Sequence, residues 1–294
     1  MMFSIFCVTN TNVDFALRLP KALRSRISFL MAYQISATKL QTYHRCPQAY
    51  YFRYELGLKT PGFFGNAKLG TALHQALAQA YRDWHYLDPV PPLDWVSSCW
   101  QRCSNNLSPN QAEEGQEILE NYYYQFIAGE TAIARPLAVE GLIKGRLLVN
   151  NLEFKVSGRY DRLDFLGDGL ELIDYKSTQE VKLPPSDEID LQIGLYYIAL
   201  EQRYQSCLQQ LSLLYLRTGE KIVFEASSEH KQQVETVIGE LAWRLRTDEE
   251  WEAKTGEQCE ICSFNRYCAA VQDQPEPLPQ TANAPRQMQL SLNL

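Results

Sequence analysis

Two neighbouring segments decide the fold, Val156-Ser-Gly-Arg-Tyr-Asp-Arg-Leu-Asp164 and Leu172-Ile-Asp-Tyr-Lys-Ser-Thr178. Both alternate apolar and polar residues as strands do, and the Gly-Asp-Gly turn between them predicts an antiparallel pair. Asp174 and Lys176 are two residues apart on a strand, so their side chains point to the same face. Asp161 can come across from the neighbouring strand. The pattern therefore predicts two carboxylates and one ammonium that converge on one spot.

This set of side chains suits the hydrolysis of a phosphodiester. Mg²⁺ or Mn²⁺ neutralises the charge that develops and helps to deprotonate water, and such hard cations prefer carboxylate oxygens. A lysine beside them orients the attacking water or stabilises the charge on phosphate. The alternative is that Asp174 and Lys176 form an exposed ion pair on a hairpin, which is the usual structure of an isolated Asp-x-Lys. Because Asp174 follows the apolar pair Leu172-Ile173, and burying an unpartnered acid costs several kcal/mol, we expect a metal ion or another partner.

The same segments resemble the RecB-like branch of the PD-(D/E)xK nucleases. Three further motifs follow the order of that family, namely Ser36-x-Thr-x-Leu-x-x-Tyr-x-x-Cys-Pro-x-x-Tyr50, Leu69-Gly-x-x-x-His74 and Gln192-x-x-x-Tyr196. With the cysteines described below, the resemblance covers roughly Ser36 to Cys268. It implies an α/β, restriction-endonuclease-like core in which helices flank a mixed central sheet.

The resemblance also assigns roles to matching residues. The catalytic residues become Asp161, Asp174 and Lys176. The ligands for Mg²⁺ or Mn²⁺ become His74, Asp161, Asp174 and the backbone carbonyl of Tyr175. The residues that support the site or contact DNA become Gln192 and Tyr196, and Arg159 is a further candidate beside them. The family often has Glu where Asp174 stands, with Asp as an accepted variant, and without the resemblance His74 is equally well a capping or core histidine.

Some neighbouring residues stay open. Arg159 and Arg162 either touch phosphate or lie in solvent on their strand, and Glu140 is a candidate supporting acid in an apolar strand. The tyrosines of the predicted helix Tyr43–Tyr54 either stack on bases or pack in the core.

Cysteines form a second constellation. Of eight in the chain, three stand in Cys259-Glu-Ile-Cys-Ser-Phe-Asn-Arg-Tyr-Cys268, and this C-x2-C-x5-C spacing is typical of a metal site. From spacing alone, zinc and iron are equal alternatives. The resemblance to iron–sulfur members of the family adds a fourth ligand and favours a [4Fe–4S] cluster on Cys46, Cys259, Cys262 and Cys268. In the predicted helices, Cys99, Cys103 and Cys207 are interpreted as small apolar fillers.

Composition, charge and the absence of certain motifs indicate the class of protein and its domain organisation. The chain has 294 residues and a formal net charge of −7, which argues against a protein that passively coats nucleic acid. No nucleotide-binding glycine loop, apolar membrane-length run or export signal is visible, so a cytoplasmic protein with reduced thiols is expected.

We divide the chain into a poorly ordered extension (1–31), a nuclease domain (32–270) and a disordered tail (271–294). The domain contains a helical insertion near 88–130 and the cysteine segment 256–270. The extension is either an over-extended gene start, with the true start at Met31, or a real amphipathic segment.

The tail ends in Gln289-Leu-Ser-Leu-Asn-Leu294 after a Pro-rich linker. It resembles the short peptide with which bacterial proteins dock on the β sliding clamp. The expected contacts are Gln289, Leu290, Leu292 and Leu294. An inert tail is the alternative.

These observations lead to one hypothesis and several rivals. The hypothesis is a metal-dependent DNA exonuclease that prefers single strands or free ends and acts in repair or recombination. A nuclease of CRISPR adaptation has nearly the same motifs. A non-catalytic iron–sulfur DNA-binding module predicts a broken acidic site. An iron–sulfur redox protein lacks the support of a second cluster or flavin motif.

Overall fold

The computed structural model describes residues 33–59, 65–181 and 190–279. The predicted extension 1–31 and the peptide at 289–294 lie outside these ranges, so they and the domain boundaries stay predictions. The described chain forms one mixed sheet with helices on both faces. Its strands are β1 (Tyr33–Ile35), β2 (Ala138–Val149), β3 (Leu152–Leu166), β4 (Gly169–Lys176), β5 (Leu208–Tyr215) and β6 (Glu220–Glu225).

The sheet has the order β1-β3-β4-β5-β6, and β2 pairs with β3 in addition. The β3–β4 pair is antiparallel and the β4–β5 pair is parallel, which confirms a mixed sheet. Along one edge of β3, β1 pairs with residues 154–156 and β4 with residues 162–166. Within the described chain, residues 157–161 of β3 therefore have no strand neighbour on that edge.

Helices cover both faces of this sheet. They are α1 (Ala37–Arg45), α2 (Pro47–Tyr50, continued by a π-helical turn Tyr51–Glu55), α3 (Gly65–Arg82), α4 (Leu93–Cys103), α5 (Pro109–Phe126), α6 (Leu191–Tyr204) and α7 (Ser228–Thr247). Ser36 caps α1, since its hydroxyl accepts from the Lys39 N–H. In the described ranges, no helix is both long and apolar enough to span a membrane.

Alternation along β4 sends its side chains into two cores. Leu172 lies under α6 and α7, whereas Ile173 and Tyr175 lie under α3, α4 and α5. The predicted insertion thus forms two helices, α4 and α5, that extend the second core. Trp100 of α4 ties the two together, because its indole N–H donates to the Ala112 carbonyl at 3.0 Å.

Two expectations change with the fold. Cys207 is exposed and follows α6 in a 3₁₀ turn, so its role as a buried filler is wrong. The helix ends early because Gln205 takes a left-handed φ of 53°. Tyr43 and Tyr50 are buried in the core, which contradicts base stacking by these two rings.

Candidate active site

Asp174 and Lys176 lie on the same face of β4, as their spacing predicts. The Asp174 Oδ2 and Lys176 Nζ atoms are 2.8 Å apart, and the Asp174 side chain is almost fully buried. An ammonium in this position compensates a carboxylate that burial alone would make costly.

Gln192 of α6 joins these two charges. Its Nε2 donates to Asp174 Oδ1 at 2.8 Å, and its Oε1 accepts from Lys176 Nζ at 2.6 Å. The same Nε2 donates to the Tyr196 hydroxyl, which donates in turn to the Arg159 carbonyl. The orientation of the amide follows from this network, because only its oxygen can accept from an ammonium.

The position of Gln192 is set at the start of α6. Asp190 caps this helix and accepts from the backbone N–H groups of Gln192 and Ile193 at 2.9 and 2.8 Å. Tyr196 lies one turn further along and therefore on the same side of the helix. Asp190 is not among the residues predicted for the site, although an aspartate directly before an apolar helical segment is a recognisable capping signal.

Asp161 of β3 connects the strand pair to α3. Its Oδ1 lies 2.8 Å from Nδ1 of His74, and its Oδ2 accepts from the Tyr175 N–H at 2.7 Å. His74 lies in the middle of α3 and is therefore not a cap, while its contact with Asp161 fits a metal ligand and a core histidine equally. The site thus contains two pairs of side chains, His74 with Asp161 and Lys176 with Asp174. Their carboxylates lie on the neighbouring strands β3 and β4.

Burial and charge shift the protonation of these groups. The pKa of Asp174 is raised to about 6, chiefly because the carboxyl is buried; Lys176 lowers this pKa and Asp161 contributes to the rise. Burial lowers the pKa of Lys176, but Asp174 outweighs it and the net shift is upward. For His74, burial is likewise outweighed by Asp161, so the pKa is raised. Nearby acids thus favour the protonated forms of Lys176 and His74.

The strands change their alternation at Asp161. Tyr160 and Leu163 of β3 both pack under α6, although they are three positions apart and strict alternation would place them on opposite faces. The neighbouring strand changes at the facing position, where Glu140 has a left-handed φ of 55°. Non-glycine residues rarely take this conformation, and it concentrates at functional sites. The Glu140 carboxylate lies 3.1 Å from Nη1 of Arg159.

The Arg162 side chain is buried, so the prediction that it touches phosphate or lies in solvent is wrong. Its Nη1 donates to the hydroxyls of Tyr122 and Tyr175, and its Nη2 lies 2.9 Å from Asp164. The guanidinium also lies over the ring of Tyr81, 3.9 Å from the centroid. Helices α3 and α5 thus cover a buried cation directly behind the site.

The donor atoms at the site decide whether a divalent ion fits there. Within the described ranges, no three or more His, Cys, Asp or Glu side chains are grouped as a metal site. The chemistry nevertheless suits a hard cation, with two buried carboxylates and an imidazole. Asp161 raises the pKa of Asp174 by repulsion, and a cation between them would relieve that repulsion. Metal ligation by His74, Asp161, Asp174 and the Tyr175 carbonyl stays a prediction.

A cavity of about 200 Å³ opens beside Gln192 and Tyr196. It lies where β3 lacks a strand neighbour and is lined by the start of α1, by Ser157–Arg159 and by Gln192 and Tyr196. The gap in the sheet therefore leaves room next to Gln192, which contacts Asp174 and Lys176.

The four predicted cluster cysteines line a second cavity, of about 290 Å³. Cys46 comes from the start of α2, and Cys259, Cys262 and Cys268 come from the segment after α7. Their side chains are free and partly buried. The fold thus brings the N-terminal and C-terminal cysteines to one cavity. Within the described ranges these cysteines do not form a recognisable metal-binding group, so the cluster stays a prediction.

An aromatic contact holds the cysteine segment near α2. Trp251 stacks on Tyr50, with ring centroids 5.7 Å apart. Asp248 accepts from the Tyr43 hydroxyl and from the Trp251 N–H at 2.7 and 2.8 Å. Ring packing and hydrogen bonds therefore hold the chain after α7 against α1 and α2.

The sequence profile of the PD-(D/E)XK nuclease superfamily matches residues 34–269. The chain belongs to the PD-(D/E)XK nuclease superfamily. Membership confirms the restriction-endonuclease-like fold for the mixed sheet and its helices. It implies metal-dependent nuclease activity and a nucleic-acid substrate.

Other comparisons add little to this membership in the PD-(D/E)XK superfamily. No curated protein matches the chain. A solved structure described as "Crystal structure of SSO0001" aligns with a TM-score of 0.41 and 15% identity, over 86% of this chain and 94% of that one. A likeness at this level supports no conclusion about the chain.

Proposed function

We propose that this nuclease is a Mg²⁺- or Mn²⁺-dependent DNA exonuclease that works in the cytoplasm on single strands or free ends, in repair or recombination. One observation carries the hydrolytic part of the proposal. Gln192 holds Asp174 and Lys176 together, beside Asp161 on the neighbouring strand. A non-catalytic DNA-binding module would not need this set of contacts.

Each side chain has a defined task in this proposal. A bound divalent ion, held by His74, Asp161 and Asp174, supplies charge neutralisation and a more acidic water. Lys176, kept protonated by Asp174, offers N–H donors to a phosphate oxygen or to the attacking water. Gln192 fixes the position of that ammonium. Because the groups are buried, their electrostatic effect on the phosphate is stronger than it would be in water.

Cleavage of end-labelled single- and double-stranded DNA with Mn²⁺ tests the proposal. Asp174→Ala and Lys176→Ala should each lose activity by at least about 100-fold. Asp168→Ala, in the exposed turn before β4, is the matched control and should keep wild-type activity. Equal background cleavage by wild type and both site variants would refute hydrolysis by this site.

An exonuclease also differs from an endonuclease in a visible way. It should degrade linear DNA and leave a closed single-stranded circle intact. Rapid cutting of the circle would contradict end-directed action and leave the nuclease proposal standing.

A nuclease of CRISPR adaptation is the second candidate within this class. The helical insertion α4–α5 and the clamp-like tail favour repair instead. Genomic neighbours separate the two, since adjacent CRISPR-adaptation genes would favour the alternative.

The four cavity cysteines are proposed to hold a [4Fe–4S] cluster, with Zn²⁺ as the alternative. Support comes from the shared cavity and from thiolate as the ligand of both groups. Bound to these cysteines, the cluster would join α2 to the C-terminal segment. Anaerobic protein should be brown and contain iron, and Cys46→Ser should lose iron whereas Cys207→Ser keeps it. A colourless protein that contains zinc would support the alternative.

The tail Gln289–Leu294 is proposed to bind the β sliding clamp. Support comes from its alternating leucines alone, which suit a pocketed groove. Clamp affinity of the full chain should exceed that of a chain ending at Arg286. Equal affinity would refute this part.

A further inference from the structure

One exposed face of the β2–β3 ribbon continues from the candidate active site. In β2, Ile143 and Leu147 are buried while Leu142, Lys144, Arg146 and Leu148 are exposed. In β3, the exposed residues between the buried ones are Lys155, Ser157 and Arg159. The antiparallel register places all of them on one face, and Asp161 follows Arg159 at its inner end.

This face is rich in cations although the chain is acidic. Its four cations are Lys144, Arg146, Lys155 and Arg159, and its two acids are Glu140 and Glu153, which lie 3.1 and 3.7 Å from arginines. The excess is two positive charges in a chain of net charge −7. A local excess of this sign attracts a polyanion.

Strand pairing does not account for the arrangement of these cations. The register puts Arg146 directly opposite Lys155, and like charges at opposed positions destabilise a sheet. A negatively charged ligand would turn this repulsion into attraction. The exposed Leu142 and Leu148, which are 57% and 71% accessible, add apolar surface beside the charges.

We propose that this β2–β3 face binds the phosphate backbone of the nucleic-acid strand that enters the active site. The proposal rests on the proposed nuclease function and adds the path of the substrate. From Asp161 to Lys155 the strand rises by about 20 Å, at about 3.3 Å per residue. That length corresponds to about six stacked nucleotides at 3.4 Å each. The face would therefore hold the nucleic-acid strand by several of its phosphates, on the outer side of the bond that is cut.

The test compares two double variants of the full chain. Lys144→Ala/Lys155→Ala removes two cations of the face. Arg82→Ala/Lys231→Ala removes two from the end of α3 and the start of α7, where each pairs with an acid. Binding of a fluorescent single-stranded oligonucleotide of about twelve nucleotides is followed by anisotropy in chelator, across a salt series. Circular dichroism checks that both variants are folded.

The expected result is a change in salt dependence. For single strands, the slope of log affinity against log salt should become shallower by about 1.4 in the Lys144/Lys155 variant, because each lost phosphate contact contributes about 0.7. The control variant should keep the wild-type slope. An unchanged slope, an equal change in the control, or no binding by wild type would overturn the proposal.

Cleavage separates this proposal from the nuclease proposal itself. The Lys144/Lys155 variant should raise the KM for the oligonucleotide and leave cleavage of a dinucleotide unchanged, because a dinucleotide does not reach these lysines. Wild-type cleavage with an unchanged salt slope would refute the binding face alone. Absence of Mn²⁺-dependent cleavage, with the slope changed as expected, would refute the nuclease and keep the binding face.

Discussion

The Gln192 side chain lies against Asp174, with 2.8 Å between its Nε2 and the carboxylate Oδ1, while its Oε1 accepts from Lys176. One neutral amide thus fixes both charged groups that the hydrolysis would use. A positioning role follows for Gln192, since it touches two site residues and is held in turn by Tyr196 and by the start of α6.

We predict that Gln192→Leu lowers kcat by about 10- to 100-fold with little change in KM, the range for residues that orient active groups. Leucine keeps the volume but holds neither Asp174 nor Lys176. Steady-state cleavage measures both constants. Gln232→Leu, on the exposed side of α7, is the control and should behave as wild type. A KM effect alone would mean that Gln192 serves binding.

Glu140 combines backbone strain with a carboxylate near the site. Glu140→Ala removes the carboxylate and keeps the strained φ, whereas Glu140→Gly removes both. We predict that the Gly variant is more stable than the Ala variant by about 1 kcal/mol, because glycine adopts a φ of this sign freely. Urea denaturation measures the difference. Both variants should lose activity equally, about 10-fold, if the carboxylate supports the site. A more stable Ala variant would contradict the strain.

Arg162 is a buried cation whose loss leaves Asp164 without its partner. We predict that Arg162→Met lowers the free energy of unfolding by about 3–5 kcal/mol. Adding Asp164→Asn should restore part of it, because no unpaired charge then remains. The double-mutant cycle uses chemical denaturation, and additive losses would argue against coupling of the pair.

The same pair gives a dependence on pH. Burial raises the pKa of Asp164, and Arg162 acts against it. Without Arg162 the pKa of Asp164 should rise further, so the folded state takes up a proton more readily than the unfolded state. Stability of Arg162→Met relative to wild type should therefore improve as pH falls. Denaturation at neutral and at acidic pH measures this, and a deficit that grows in acid would contradict the assignment.

Gly115 of α5 packs against the ring of Trp100, and a Cβ atom there would lie closer than any real contact. We predict that Gly115→Ala lowers the free energy of unfolding by about 1–3 kcal/mol, the usual cost of overpacking. Gly129→Ala is the matched control, since a Cβ there meets nothing within 4 Å, and should change stability little. Equal melting temperatures of the two variants would refute the close packing of α4 on α5.

The sequence by itself determined the features that depend on local spacing. Asp174 and Lys176 share a face because strand side chains repeat every two residues, and the cysteine spacing and motif order came from the chain alone. Only the tertiary structure decided which face each neighbour meets. Arg159 and Arg162 look alike in the sequence, yet α3 and α5 cover Arg162 and leave Arg159 exposed. The contacts of His74 with Asp161 and of Gln192 with Lys176 join separate elements, and the shift in strand alternation at Glu140 and Asp161 has no signature in spacing. The physical reason is that burial and partners depend on which distant segments pack together, and local periodicity does not carry that information.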